Sequence, residues 1–219
     1  MEEVKKNKQY IPIEKIRSIM FQLLTGLKYV HGKSKKTLKL EIVHRDLKPE
    51  NVLFTEDERV KICDFGSSKF IDSNETKSTP YIVSRYYRAP ELLLGSNSYK
   101  DKIDIFATGC IMAELFTLTP IFPGKSEGLQ FFEHMCVLGK PPMSYFNKWS
   151  LPSTFLNFFK EMEDITPYDL PKLLNKSRHY NDYDVKEAAD LLKKLLSWDP
   201  SDRLSASEAL KHPFFKNSN

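Results

Sequence analysis

His44-Arg45-Asp46-Leu47-Lys48-Pro49-Glu50-Asn51 sets a carboxylate, an ammonium group two residues on and a carboxamide five residues on within one octapeptide. A proton acceptor, a cation and a hard oxygen donor are thereby supplied in one place. Working outward, NVLF (51–54) and VKIC (60–63) are short β-prone runs joined by the charged turn TEDER, which predicts a hairpin with Asn51 and Asp64 at its two outer ends. Two oxygen ligands for a metal ion would then converge.

Upstream, Ile13, Ile16, Ile19, Met20, Leu23, Leu24, Leu27 and Val30 recur at three- and four-residue steps, so one face of a long helix is buried. Pro12 suits its first turn and Gly32 its end. Downstream of residue 100 the reading is almost wholly helical. Lys102 to Leu118 is apolar nearly all round, with Asp104 the odd member, and is expected at the centre of the core. Gly128 to Leu138 is a second helix, ended by Gly139 and the pair Pro141 and Pro142. Asp184 with Glu187, and Ser205 with Glu208, match the capping-box pattern and predict helices running to about Ser197 and Lys211. The aromatic-rich stretch from Met143 to Asp182 reads as short helices and loops.

The 219 residues are 41% hydrophobic and 28% charged, an ordinary composition for a soluble globular chain, and a net charge of +4 gives no reason to expect nucleic-acid or membrane binding. Cys63, Cys110 and Cys136 lack metal-ligand spacing and fit free thiols in a reducing compartment, cytoplasmic or nuclear. The start of the sequence has no apolar leader segment, and the longest uncharged apolar run, Ile105 to Ala113, is too short to span a bilayer. None of His31, His44, His134, His179 and His212 shows a metal-ligand pattern, and Cys63 reads as a small buried hydrophobe.

HRDLKPEN followed by Asp64-Phe65-Gly66, then by Ala89-Pro90-Glu91, resembles the catalytic loop and activation segment of the eukaryotic protein kinases. The likeness runs from Ile13 to Phe215 in the order of that family's large C-terminal lobe. CDFGSSK, YIVSRYYRAPELLLG and GCIMAELFTLTPIFPG narrow it to the CMGC group, most closely the glycogen synthase kinase (shaggy-like) branch. The resemblance implies a mainly α fold of the α+β kinase type, one partial kinase domain over residues 1–219. Within it lie a catalytic loop at 44–51 beside a short β-hairpin, an activation segment at 64–91 and a CMGC-type insertion at about 143–182.

The resemblance also implies roles. Asp46 would be the catalytic base, Lys48 the contact to the γ-phosphate of ATP, and Asn51 and Asp64 the Mg²⁺ ligands, in transfer to Ser or Thr of protein substrates. Tyr81 aligns with an autophosphorylated tyrosine, and Arg85 and Arg88 with the arginines that receive its phosphate; the plainer reading of Tyr81 is an exposed loop residue. Arg45 and Lys69 align with two members of a pocket for a phosphate already present on a primed substrate, and Lys69 reads equally well as a solvated surface lysine. Glu91 and Arg203 would form a buried ion pair, and Asp104 would hold the backbone of the catalytic loop. Where relatives often carry tryptophan, two residues after Asp104, this chain has Phe106.

A complete kinase also needs a Gly-rich loop over the phosphates and a strand lysine paired with a helix glutamate. The first glycine here is Gly26 and no G-x-G-x-x-G occurs, so the small N-terminal lobe is expected to be missing and the isolated chain inactive. Between His31 and Ile42 the basic stretch GKSKKTLKLE exceeds the usual few residues. It reads as a surface loop of this lineage or as unspliced sequence, and is expected to project without displacing Asp46. The rival to an enzyme is a non-catalytic module that binds substrates or regulators. The oligomeric state is left open.

Overall fold

Residues 10–32, 41–71, 85–96, 98–147, 151, 153–176 and 178–216 are described by the computed structural model. Helix α1 (Ile13–Val30) starts after Pro12, whose missing N–H would have had no partner there, and buries Ile16, Met20, Leu23, Leu24 and Leu27 along one face. Its end is closed by the N–H groups of His31 and Gly32, which donate to Leu27 O and Tyr29 O at 2.8 and 3.3 Å.

Helix α3 (Lys102–Thr117) buries every residue from Ile103 to Phe116. An element apolar on all sides can satisfy that surface only from the centre, and α1 and α8 (Asp182–Leu195) pack against it. Gly109 makes room for the end of α8: a methyl group there would lie 2.7 Å from Cδ2 of Leu196, the residue after the helix, and 3.1 Å from Leu195 Cβ. The short helices α2 (Pro90–Leu93), α7 (Leu170–Leu174) and α9 (Ala206–Ala209) complete this main core.

A smaller aromatic core joins α4 (Glu127–Leu138), α5 (Met143–Phe146) and α6 (Ser153–Glu161). Phe131, Tyr145, Phe146 and Phe159 gather there with Trp198, whose indole N–H donates to Gly139 O at 3.1 Å. Strands occur among the described residues as two antiparallel pairs. β1 (Glu41–Val43) pairs with β4 (Lys69–Ile71), Val43 opposite Lys69, and β2 (Val52–Phe54) pairs with β3 (Val60–Ile62), Val52 opposite Ile62. No helix among them is long and apolar enough to cross a membrane.

Three expectations need correction. Asp184 does not cap α8. Asn181 does, its side chain accepting from Asp184 N at 2.9 Å, because the Asp184 carboxylate is committed to the buried guanidinium of Arg17. The last two long patterns also end early: α8 stops at Leu195 and α9 at Ala209, although the Ser205–Glu208 capping box itself is present. Cys63 is partly exposed rather than buried.

Candidate active site

The octapeptide His44–Asn51 leaves β1 at Val43 and is fixed at once by a carboxylate from the first turn of α3. Asp104 Oδ2 accepts from His44 N at 2.8 Å and Oδ1 from Arg45 N at 2.9 Å. His31, the residue that follows α1, four positions after Leu27, closes on the same Oδ2 at 2.8 Å. These bonds hold Arg45 in a left-handed conformation, φ +71°, that costs a non-glycine residue about 1–3 kcal/mol. His44 is fully buried. Its Nδ1 accepts from Asp46 N at 3.3 Å, so its proton sits on Nε2 and is donated to Cys63 O at 2.8 Å. Phe65 meets the same ring edge-on, 4.8 Å between centroids. The loop is thus tied to the strand end that carries Asp64.

Asp46, Lys48 and Asn51 meet at one oxygen. Lys48 Nζ donates to Asp46 Oδ2 at 2.8 Å, and Asn51 Nδ2 donates to Asp46 O at 2.8 Å and lies 3.4 Å from Oδ2. The bond to Asp46 raises the Lys48 pKa above its ordinary value against a smaller opposing effect of burial, so the ammonium form is retained. Asp46 Oδ1 is buried without a hydrogen-bond partner, a condition native structures rarely keep without a use for it. With its nitrogen spent on Asp46, Asn51 has its amide oxygen left for a cation.

The β2–β3 hairpin brings Asp64 close. Cys63 N donates to Asn51 O at 3.0 Å just beyond the last strand pair, and Asp64 follows with φ +60° and an exposed carboxylate that accepts from Gly66 N at 3.4 Å. Among the described residues no group of three or more His, Cys, Asp or Glu could hold a metal ion. One carboxylate and one amide oxygen nevertheless fit Mg²⁺, which keeps several waters and phosphate oxygens and takes few protein ligands.

Arg45 donates from Nε to Ser67 O and from Nη1 to the Tyr99 hydroxyl at 3.1 Å, while Lys69 stands on β4 opposite Val43, two residues from Arg45. Arg85 Nη1 donates to Lys125 O at 2.7 Å and Arg88 Nη1 to Glu127 Oε1 at 2.8 Å, so both reach the start of α4. Tyr81 lies outside the described residues, as does most of the basic stretch before β1. Glu91 and Arg203 form a two-bond ion pair, 2.7 Å in each arm, with both side chains almost fully buried.

Two polar contacts escaped the reading of the sequence. The Tyr87 hydroxyl donates to Glu114 Oε2 at 2.7 Å inside the core, and burial, then that carboxylate, push its pKa far above the usual phenol range. His31 was passed over because no metal pattern includes it. The signal was its place four residues after Leu27, on the buried row of α1.

Over residues 1–215 the chain matches the family profile described as protein kinase domain. It is 40% identical over 195 residues to mitogen-activated protein kinase mpkC of Aspergillus fumigatus, covering 89% of this chain and 47% of that protein. It is 43% identical over 208 residues to cyclin-dependent kinase F-3 of Oryza sativa subsp. japonica, covering 94% and 43%. With serine/threonine-protein kinase ICK of Mus musculus the identity is 41% over 213 residues, covering 97% and 31%. The chain therefore spans about a third to a half of the length of these curated relatives, all of CMGC type. The loop geometry, the profile match and the relatives agree: this chain belongs to the protein kinase domain family.

Proposed function

We propose that the chain carries the catalytic loop, cation ligands and substrate platform of a serine/threonine protein kinase of the shaggy-like branch of the CMGC group. The observation that carries this reading is the meeting of Lys48 Nζ and Asn51 Nδ2 on the Asp46 carboxylate. With Oδ1 left without a hydrogen-bond partner, the Asp46 carboxylate orients and takes the proton of an attacking Ser or Thr hydroxyl, its Oδ2 holding Lys48 and Asn51. Lys48, held on that oxygen as an ammonium, offsets negative charge on the phosphoryl group in transit. Asn51 Oδ1 and the Asp64 carboxylate are the oxygens offered to Mg²⁺, which when bound neutralises the phosphates of ATP. The branch assignment rests on CDFGSSK, YIVSRYYRAPELLLG and GCIMAELFTLTPIFPG.

Arg45 and Lys69 then serve a phosphate on a primed protein substrate, a reading supported by the place of Lys69 on β4 opposite Val43, two residues before Arg45. Arg85 and Arg88 receive a phosphate on Tyr81. We infer a cytoplasmic or nuclear location from the three free cysteines, which fit a reducing compartment. Since the 219 residues contain no G-x-G-x-x-G, we infer that by themselves they hold MgATP weakly and transfer phosphate slowly.

Calorimetry with MgATP and transfer of labelled γ-phosphate to Ser/Thr peptides test this, on the chain alone and with a relative's small lobe supplied. Weak binding alone, transfer on supply of the lobe, and loss of transfer in a folded Asp46→Asn variant are expected. Micromolar MgATP affinity of the chain alone would refute the half-site reading, and full turnover by Asp46→Asn would refute the choice of base. No transfer under any condition would favour the binding-module reading.

A further inference from the structure

The β2–β3 hairpin carries Asn51 at one end and leads into Asp64 at the other, yet it is only three residue pairs long and keeps Leu53 and Phe54 half exposed. A two-stranded hairpin of this size does not hold its own pose in water, so something outside it must set where the two oxygen ligands stand. Its charged anchor is weak: Lys15 and Glu58 approach at 3.5 Å with both side chains well exposed, a geometry that contributes little.

Gln22, half-buried on α1, makes a different kind of contact. Its Oε1 accepts from Val60 N at 3.0 Å and its Nε2 donates to Glu58 O at 3.1 Å, with Ser18 Oγ as a second acceptor at 3.1 Å. Val60 opens β3 in a pair with Phe54 that exchanges no ladder bonds, so its N–H faces outward, where no strand among the described residues covers it, and Glu58 lies in the turn just before, at φ +59°. The Gln22 amide thus holds the first edge N–H of β3 and the turn that leads into it. One turn further, Gly26 lets Ile62 settle on α1, where a methyl group would lie 3.1 Å from Ile62 Cδ1. The edge of β3 is therefore pinned by α1 two residues before Ile62 and four before Asp64.

We propose that Gln22 is a positioning residue for the divalent-cation site: by clamping the start of β3 to α1 it fixes the pose of the hairpin that carries Asn51 and leads into Asp64. This rests on the reading of those two residues as cation ligands. Its removal should loosen the hairpin and weaken cation binding while leaving the core of α1, α3 and α8 intact. Gln22→Met removes both bonds at similar volume. Gln22→Glu keeps an acceptor for Val60 N, loses the donor to Glu58 O, and should fall between Gln22→Met and the parent.

The test follows backbone amide resonances of the full 219-residue chain titrated with Mn²⁺, alone and with ADP, together with amide exchange and thermal unfolding. In the parent, Mn²⁺ should broaden the amides of Asn51, Cys63 and Asp64 first. Gln22→Met should need about tenfold more Mn²⁺ for the same broadening, as expected for loss of a group that orients a ligand. It should also lose exchange protection at Val60 and Cys63 but not in α3. Ser205→Ala, a cap substitution remote from the hairpin, controls for general destabilisation and should leave the Mn²⁺ midpoint unchanged. A Gln22→Met midpoint equal to the parent's, or a shift matched by Ser205→Ala, would overturn the proposal alone. A parent showing no broadening at Asn51 and Asp64 would overturn the cation reading and this one with it.

Discussion

Replacing Glu91 by alanine tests how the end of the activation segment is held. Arg203 is completely satisfied: Nε donates to Ser197 O at 2.8 Å, Nη1 to Glu91 Oε1 at 2.7 Å and Lys102 O at 3.1 Å, and Nη2 to Glu91 Oε2 at 2.7 Å and Trp198 O at 3.0 Å. Its guanidinium carbon also stands 5.0 Å from the centre of the Phe106 ring. Glu91→Ala removes the carboxylate that, among the described residues, is the only one the guanidinium contacts, and with it two acceptors, leaving a cation with no solvent access. The expected loss is about 3–5 kcal/mol. Against a typical total of about 5–15 kcal/mol, that is a large fraction of stability. For a chain of this size it corresponds to a fall in melting temperature of roughly 6–20 °C. Urea unfolding followed by tryptophan fluorescence measures it, with Trp198 reporting from beside the pair. Glu91→Met combined with Arg203→Met should recover most of the loss, because an apolar pair carries no desolvation cost. A Glu91→Ala variant within about 1 kcal/mol of the parent, or a double variant less stable than either single one, would refute the reasoning.

Two further outcomes follow from the geometry. Asp104→Asn puts an N–H₂ group where one carboxylate oxygen now accepts, and each charged hydrogen bond lost should cost about 1.5–3 kcal/mol; amide exchange at His44 and Arg45 should quicken before that of α3. His134 is wholly buried among Phe106, Phe122 and Trp198, and burial, helped by the Arg203 charge, lowers its pKa to about 3. The unfolded chain takes up a proton near pH 6.5 that the folded chain refuses, so stability is full above that pH and falls as pH drops toward 3. Urea midpoints between pH 7 and 4 should show that slope, and His134→Leu should flatten it by one proton.

Legibility from sequence followed the range of the interactions. HRDLKPEN was readable because its three polar groups meet within six residues, and the hairpin because strand, charged turn and strand are consecutive. Asp104 and Arg203 were readable by resemblance alone, since nothing local announces a contact between residues 91 and 203. Asp184 was misread because its capping-box signature is local while its actual partner, Arg17, lies on a helix far away in sequence. Gln22 and the Tyr87–Glu114 bond left no pattern at all: a single polar residue on a half-buried helix row looks the same whether it meets water or a strand edge.

The bonds of His31 and His44 to one oxygen of Asp104 have a consequence for how this chain can change. Both ends of the segment between α1 and the octapeptide His44–Asn51 are referred to the same point on the central helix, so the segment's length is not part of the measurement that places Asp46. Residues can be added or removed between them at the modest entropic cost of a longer loop. That stretch is therefore the natural place for the lineage to vary, or for a peptide tag to be inserted, without disturbing the chemistry a few residues away.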